Sequence, residues 1–417
     1  MARFQFLHAA DLHLDSPLIG LSCKSADFAK KVELASRQAF DNLVRMAIEE
    51  KCRFVVLSGD VFDRDQRHYP TGLHFVQGMK RLGDEGIDVF VVLGNHDAGN
   101  RFADKLGYAG KVHVFDRKRA GTKMIDEVGV AVHGRSFPKW DTDENLALGY
   151  PAPVQGVFNV GVLHTACTGN AGDHAPYAPC SVDQLQNHGY DYWALGHVHG
   201  FAVLSEAPHI VYPGNLQGRD PRETGAKGAV LVTVEDGKVA SVEHQALDVV
   251  RWAAVTIDAT PHADRGSFIN DVRTRLAEAC EEAGDRALAV RIRVTGKTAL
   301  HHELHLQRTS VMADVEDVSA TLGREVWVEK FSVATESPPA PFAVDPTVAG
   351  RLAAEIRRLA GDGYLATRIE EKLAEIRTKL PKNAHAEEFL AGMKREMADR
   401  AANVALSLID EANHAAH

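Results

Sequence analysis

Five short motifs along the first half of the chain combine residue types that bind metal ions. In each motif a carboxylate, an amide or an imidazole follows directly after an apolar run that has the composition of a β-strand. The motifs are Asp11-Leu-His13, Gly59-Asp60-Val-Phe-Asp63, Gly94-Asn95-His96-Asp97, His164 in GVLHT, and Gly196-His197-Val-His199. Any one of them is weak evidence, because polar residues at strand ends are common. Their recurrence in an order suited to converging loops argues against coincidence.

The donors in these motifs are oxygen atoms and imidazole nitrogens, without a thiolate. Such a set suits Mn²⁺, Fe²⁺ or Zn²⁺ better than Cu(I) or an iron–sulfur cluster. Seven candidate ligands are too many for a single ion with an open coordination position, so we expect two divalent ions. The candidate ligands are Asp11, His13, Asp60, Asn95, His164, His197 and His199.

The elements that must position these motifs are short strands alternating with helices. The runs FQFLHA, RFVVLS and DVFVVLG predict buried strands, and residues 25–50 and 70–84 have helical spacing. This alternation predicts a parallel sheet covered by helices, which presents ligand-binding loops at the carboxyl ends of its strands. A second layer of sheet is predicted by TKMIDEV, VAVHGRS, VFNVGVLH, YWALGH, HIVYPG and AVLVTVEDGKVASVEHQ.

Farther along the chain the pattern changes twice. We predict a catalytic domain over residues 1–249 and a small α+β cap domain over 250–334. Residues 335–346 hold four prolines without periodicity, which predicts a linker. Residues 347–417 have helical spacing throughout. The cap prediction depends on strand 251–258, helix 264–283, strand 287–295, helix 311–322 and strand 325–333.

Composition limits the protein class. A length of 417 residues, with 45% hydrophobic and 25% charged residues, is typical of a globular protein of two or three domains. The formal net charge of -10 excludes a surface that is basic throughout, so any DNA contact must be local. Five widely spaced cysteines and a polar amino-terminal run indicate a reducing compartment and no signal peptide. We therefore expect a cytoplasmic protein without a membrane segment.

In their order across residues 11–199, the five motifs resemble those of the calcineurin-like metallophosphoesterases, D-x-H, G-D-x-x-D, G-N-H-D/E, H and G-H-x-H. Within that family the sequence is similar to the DNA-repair exonuclease branch, the SbcD and YhaO type. The similarity to this branch lies in FLHAADLHLDSPL, LSGDVFDRD, YPGNLQGRDPRETGAKG and the long carboxyl-terminal extension. The resemblance implies an α/β fold, a four-layer β-sandwich flanked by helices. It also implies metal-dependent hydrolysis of phosphodiester bonds.

Carried over motif by motif, the resemblance assigns the ligands to two ions, of which Mn²⁺ is the first candidate. Asp60 is expected to bridge the two ions. One ion would be held by Asp11, His13 and His199, and the other by Asn95, His164 and His197.

Three further residues of the motifs are expected to act without binding metal. The resemblance implies that His96 acts on the substrate, as a general acid or as a cation facing the transition state. Asp97, its neighbour, is predicted to orient that imidazole and keep it protonated. Asp63 is predicted to contact a ligand side chain without binding metal itself. The alternative is an aspartate that only stabilises a turn or caps a helix.

Other polar clusters have two interpretations each. The histidines in HHELH, which are His301, His302 and His305, are interpreted as a solvated face, with metal binding as the weaker alternative. Loop arginines near the predicted site could contact phosphates or only aid solubility, and they are Arg64, Arg67, Arg219 and Arg222. His68 is either a substrate contact or without function.

The leading hypothesis is a two-metal DNA exonuclease or endonuclease. Its carboxyl-terminal helices have 11 basic and 12 acidic residues over 345–417, which fits neither a nucleic-acid tail nor a membrane helix. The resemblance implies that these helices dock on the coiled-coil base of an SMC-like ATPase, and it suggests homodimerisation through residues 25–50 or 70–84. Alternatives are a small-molecule phosphodiesterase or nucleotidase, and an inactive adaptor subunit.

Overall fold

The computed structural model describes residues 3–16, 26–63, 69–100, 111–167, 177–338, 348–361 and 364–377, and the single positions 397, 401 and 405. The chain divides into two compact units. Unit 1 contains residues 1–254, 282–290 and 325–329, and unit 2 contains 255–281, 291–324 and 330–417.

The first sheet of unit 1 has the strand order β12-β11-β1-β2-β3-β4. Strands β1 to β4 are parallel to one another, whereas β11 is antiparallel to both β1 and β12. The central strands are apolar and almost fully buried, as expected for a parallel sheet covered on both faces. The six strands are β1 (Phe4–Ala9), β2 (Phe54–Ser58), β3 (Asp88–Val92), β4 (Val112–Val114), β11 (Gly228–Glu235) and β12 (Lys238–Ala246).

The second sheet of unit 1 has the order β5-β6-β7-β8-β10-β9. Strands β6, β7, β8 and β10 are parallel, and an antiparallel strand lies at each edge. The six strands are β5 (Gly121–Ile125), β6 (Val130–Gly134), β7 (Phe158–His164), β8 (Tyr192–Gly196), β9 (Ala202–Glu206) and β10 (His209–Tyr212).

Alternating side chains of these strands build separate apolar cores. Between the two sheets, Phe6 and Phe54 share a buried cluster with Val160 and other residues of the second sheet. The opposite face of the first sheet packs against helices α1 (Ala26–Glu49) and α2 (Tyr69–Asp84). The opposite face of the second sheet packs against a 3₁₀ helix (Leu146–Gly149) and α4 (Val182–Gln186). The predicted four-layer sandwich is confirmed.

The remaining elements include those predicted as the α+β cap. Strands β13 (Val250–Asp258), β14 (Ala287–Lys297) and β15 (Val326–Glu336) form a three-stranded sheet in that order. Strand β15 continues through Glu336, so the predicted linker 335–346 starts too early. Residues 339–347 lie outside the described residues. The helices that accompany this sheet are α5 (Arg265–Ala283), α6 (His301–Leu306) and α7 (Arg308–Ala320).

The carboxyl-terminal segment is helical where it is described. It contains α8 (Val348–Gly361) and α9 (Tyr364–Arg377). The apolar stripe predicted around residues 390–408 lies outside the described residues, apart from positions 397, 401 and 405. No helix in the described part of the chain has both the length and the hydropathy needed to cross a membrane.

Candidate metal centre

The predicted ligands gather at one edge of unit 1, where the parallel strands of both sheets end. Asp11 follows β1, Asp60 follows β2, and Asn95 begins the short helix α3 (Asn95–Gly99) after β3. From the second sheet, His164 is the last residue of β7, and His197 follows β8. The two sheets meet here through the Ser58 hydroxyl, which donates to the carbonyl of Ala194 at 3.0 Å.

The backbone at the site is held in an unusual conformation. Asp11, His13, Asp60 and His197 have φ angles of 51°, 41°, 53° and 106°. Positive φ is uncommon for residues other than glycine and costs about 1–3 kcal/mol each. Hydrogen bonds between the loops maintain it, including the Asp11 N–H to the Gly59 carbonyl at 2.9 Å. Such concentrated strain is typical of a functional site.

Two motif glycines allow these loops to approach. A Cβ atom on Gly94 would lie 2.2 Å from Oδ1 of Asp60. On Gly196 it would lie 2.0 Å from the Ser58 carbonyl oxygen. Larger side chains at these positions would therefore push the ligand loops apart.

The first group of ligand atoms comes from Asp11, His13 and His199. Oδ1 of Asp11 lies 3.9 Å from Nε2 of His13 and 3.8 Å from Nε2 of His199. Oδ1 of Asp11 and Nε2 of His13 are buried and make no hydrogen bond within the described part of the chain. Atoms that share one ion, each about 2.1 Å from it, lie at most about 4 Å apart. The arrangement thus fits a bound cation.

The second group is formed by Asp60, Asn95 and His164. Nε2 of His164 lies 2.9 Å from Oδ1 of Asn95 and 3.4 Å from Oδ2 of Asp60. The same Asp60 oxygen lies 3.8 Å from Nε2 of His13, a member of the first group. Asp60 therefore stands between the two groups, as expected of a bridging ligand. The His197 ring lies 5.2 Å from the His164 ring.

Three of the imidazoles are anchored through their outer nitrogen. Nδ1 of His13 is 2.7 Å from Oδ1 of Asp63, and Nδ1 of His199 is 2.5 Å from Oε1 of Glu223. Nδ1 of His164 is 2.8 Å from the Ser58 carbonyl oxygen. Bonds of this kind orient a ligand imidazole and raise its basicity, so that Nε2 is left for the metal. The donor set and its anchoring therefore fit two divalent cations.

The electrostatics of the group also favour bound cations. Burial and the charge of Asp60 raise the pKa of Asp11. Burial opposes protonation of His164, but the Asp60 carboxylate outweighs it and raises the pKa of His164 to about 9. Burial and the nearby Arg219 charge lower the pKa of His13 to about 4. Buried carboxylates this close to each other require positive charge, which divalent ions can provide.

The structure corrects the prediction for Asp97. Its buried carboxylate accepts hydrogen bonds from the backbone N–H groups of Val61, Phe62 and Gly94, at 3.1, 2.9 and 3.0 Å. It therefore links the loops after β2 and β3. Asp63 faces His96 instead, with its Oδ1 3.0 Å from the His96 Nδ1. Sequence adjacency misled the prediction, because the first turn of α3 directs Asp97 inward to unpaired backbone donors.

His96 differs from the ligands in its exposure. Its side chain is 37% exposed, whereas that of His13 is 1% exposed. Burial lowers the pKa of His96, but the carboxylates of Asp60 and Asp63 outweigh burial and raise it overall. A partly exposed imidazole of raised pKa beside the ligand groups can contact a substrate phosphate.

Two of the four predicted loop arginines are in the described part of the chain, and both contact carboxylates of the protein. Arg219 donates through one guanidinium nitrogen to Ser16 at 2.7 Å and to both oxygens of Asp63, at 3.3 and 3.1 Å. Arg222 forms an exposed ion pair with Asp220 at 2.9 Å, and phosphate binding by Arg222 stays a prediction. The other predicted contacts, Arg64, Arg67 and His68, lie outside the described residues.

Two residues that support His199 were missed from the sequence. Glu223 contacts Nδ1 of the His199 ring. It also accepts hydrogen bonds from the Asn215 side chain at 2.9 Å and from the backbone N–H of Arg219 at 2.6 Å. The buried ammonium of Lys227 donates to the His199 carbonyl at 2.8 Å. Both lie in YPGNLQGRDPRETGAKG, but no spacing rule connects a glutamate to a histidine 24 positions earlier.

The interpretation of the HHELH histidines as a solvated face is wrong for two of the three. His301 and His305 are only 6% and 9% exposed. Nδ1 of His301 lies 3.0 Å from the hydroxyl oxygen of Thr335. Within the described residues, the side-chain groups that could hold an ion do not include the histidines of α6.

The chain is similar in sequence to known proteins. Residues 4–201 match the family model described as calcineurin-like phosphoesterase, and residues 252–336 match the middle domain of metallophosphoesterase YhaO. The chain is 36% identical over 259 residues to the uncharacterized metallophosphoesterase YhaO of Bacillus subtilis, covering 61% of this chain and 63% of that protein. It is 27% identical over 241 residues to the DNA double-strand break repair protein Mre11 of Archaeoglobus fulgidus, covering 52% of this chain and 51% of that protein.

The matched region thus spans less than two thirds of either relative. The family match itself covers every candidate ligand, from Asp11 to His199. Residues 4–201 therefore form a calcineurin-like phosphoesterase domain.

Proposed function

We propose that the protein is a two-metal DNA nuclease that hydrolyses phosphodiester bonds in DNA repair. One observation carries the proposal: Oδ2 of Asp60 lies between two groups of candidate ligand atoms. It is 3.4 Å from Nε2 of His164 and 3.8 Å from Nε2 of His13. A carboxylate in that position can bridge two ions. A pair of divalent ions bound there would suit hydrolysis of a phosphodiester.

The protein residues have distinct tasks in this proposal. Asp11, His13 and His199 would hold one ion, and Asn95, His164 and His197 the other. When bound, the two ions, most simply Mn²⁺, supply charge neutralisation at the phosphate and a water of lowered pKa. His96 donates a proton or a hydrogen bond to the phosphodiester, while Asp63 holds its imidazole at 3.0 Å.

DNA as substrate is supported by the relatives, several of which are named DNA double-strand break repair protein Mre11. The carboxyl-terminal helices support an SMC-like coiled-coil ATPase as partner. On α8 and α9, Leu352 and Tyr364 are 49% and 52% exposed. Exposed apolar side chains on a helix suit insertion into a groove of a helical partner.

The test is degradation of end-labelled single- and double-stranded DNA by the full chain with Mn²⁺. EDTA and a His96→Ala variant serve as controls, and bis-p-nitrophenyl phosphate and cyclic nucleotides are assayed in parallel. Cleavage of DNA that is lost in both controls is the expected result.

Two other outcomes would contradict the proposal in different ways. Hydrolysis of small diesters with DNA left intact would favour a small-molecule phosphodiesterase, an alternative consistent with the net charge of -10. Purified protein that retains no metal and hydrolyses no diester would favour an adaptor subunit.

A further inference from the structure

A series of aromatic rings leads from the metal centre to the surface of unit 1. The ring of His197, a candidate ligand, lies 6.0 Å from that of Tyr177. The ring of Tyr177 lies 6.3 Å from that of Trp140 in an edge-to-face arrangement. Tyr177 is partly buried, and Trp140 is 40% exposed.

Hydrogen bonds fix the segments that carry the two outer rings. The Ala166 N–H, just past the end of β7, donates to the carbonyl of Tyr177 at 2.9 Å. The next residue, Ala178, donates through its N–H to the carbonyl of Thr142 at 2.8 Å. The Thr142 hydroxyl in turn donates to the carbonyl of Lys139 at 2.7 Å, closing the turn that contains Trp140. Hydrogen bonds therefore hold the backbone segments that carry the two rings.

Core packing does not account for the surface position of Trp140. Phe137 in the same segment is fully buried and lies 5.4 Å from the His164 ring, so the core is already filled by another aromatic residue. Large aromatic side chains provide much of the binding energy at recognition sites, because they offer a rigid apolar face. A stacked ring in the substrate is a natural complement.

Charge gives a second reason to expect stacking here. The chain has a net charge of -10, so attraction of phosphates by the protein as a whole is unfavourable. Next to Trp140, the exposed Lys139 ammonium lies 3.5 Å from Asp141, which offsets its charge. A nucleic acid bound at this edge needs affinity from contacts other than phosphate attraction. Aromatic faces supply it, since every base has a π-face.

We propose that Trp140, against which Tyr177 packs edge-to-face, is a stacking platform for an unpaired base of single-stranded DNA whose phosphodiester lies at the metal centre. The inference rests on the proposed nuclease function and specifies its substrate. A base within an intact duplex is stacked on its neighbours and is not available to Trp140. The platform therefore favours single strands and unpaired strand ends over blunt duplexes.

The test compares Trp140→Ala and Trp140→Phe with the parent protein on two oligodeoxynucleotides. One has natural bases throughout, and the other has abasic nucleotides on both sides of the cleaved bond. Loss of one base–aromatic contact corresponds to about a 5- to 150-fold weaker interaction. Trp140→Ala should raise KM by a factor in that range on the natural oligonucleotide, with a much smaller change in kcat. Trp140→Phe should restore most of the affinity.

Two features separate stacking from a structural role of Trp140. The abasic oligonucleotide should have the same KM with the parent and with Trp140→Ala, whereas a distorted site would affect both substrates. Leu148→Ala is the matched control, because Leu148 is 73% exposed on the same unit and lies outside the ring series. Metal content and thermal unfolding of each variant are measured in parallel.

The outcomes distinguish this inference from the proposed function. If the parent cleaves DNA but Trp140→Ala has an unchanged KM, or an equal loss on the abasic oligonucleotide, the stacking platform is wrong and the nuclease proposal stands. If the parent hydrolyses small diesters and leaves both oligonucleotides intact, both proposals fail together.

Discussion

Among the described residues, histidines cluster at the metal centre and on helix α6, and the surroundings of these two clusters differ. At the metal centre, His13 and His199 contact the carboxylates of Asp63 and Glu223 through Nδ1. On helix α6, the His301 Nδ1 contacts the hydroxyl of Thr335, and the His301 ring lies 4.5 Å from the His305 ring. Both clusters are buried, so burial does not distinguish them.

Two features distinguish the metal centre. It combines imidazoles with the buried carboxylates of Asp11 and Asp60, whose charges need a cation nearby. It also lies in loops whose residues have positive φ, whereas no histidine of α6 is among the described residues with that conformation. Carboxylate partners and backbone strain thus separate a candidate ligand histidine from a histidine that fills a core. The predictions below test this distinction.

The largest expected effect comes from removing the negative charge of the Asp60 carboxylate, which lies between the two ligand groups. Asp60→Asn should abolish retention of two ions per chain and lower diesterase activity by at least about 10⁴-fold, more than the loss of a general acid alone. His301→Asn is the matched control at the other cluster and should keep both ions. Metal content by mass spectrometry checks both variants. Two ions retained by Asp60→Asn would contradict the bridging assignment.

His96→Ala should lower activity while leaving metal content intact. A positioned general acid contributes about 10² to 10⁴ in rate, so the loss should fall in that range. The side chain lies beside the ligand groups but is 37% exposed, which fits substrate contact. Activity is measured on bis-p-nitrophenyl phosphate, with metal content determined on the same sample. Loss of metal from this variant would assign His96 to the ligands instead.

Much of the fold and of the candidate ligand set was predictable, because both depend on local patterns. A buried parallel strand is an apolar run, and the residue just past its carboxyl end lies at the binding edge of the sheet. That reasoning located Asp11, Asp60 and His164. It did not find β4, which has only three residues, or the edge strand β9, whose pattern is only partly apolar.

Side-chain pairing across distant segments was less predictable. The support of His96 was assigned to Asp97 by adjacency, whereas Asp63, from another strand end, provides it. Burial of His301 and His305 was missed for a related reason. They share one face of α6 with Leu304, which is 1% exposed, but a six-residue helix gives too short a pattern to show which face is buried.

Glu223→Gln tests the carboxylate partner that was missed. Mutation of an outer partner of a ligand imidazole typically weakens metal affinity about 10- to 100-fold. We expect a loss of that size for an ion bound at His199, because the amide keeps the shape of Glu223 and removes its charge. Metal titration by calorimetry measures it. Glu243→Gln, at an exposed position of β12, should leave the affinity unchanged. Equal affinities in both variants would show that the contact does not tune the site.

The smallest effect on activity is expected at the other histidine cluster. Thr335→Ala removes the hydroxyl that contacts His301 at 3.0 Å, and a buried group left without its partner costs about 1–3 kcal/mol in the free energy of unfolding. Thr335→Ser keeps the hydroxyl and should restore most of that stability. Urea unfolding measures the change, while metal content and diesterase activity should stay at the parent's level. Loss of an ion from Thr335→Ala, with the serine variant unaffected, would mean that α6 binds metal after all. Contacts between imidazoles and carboxylates would then no longer distinguish the two histidine clusters.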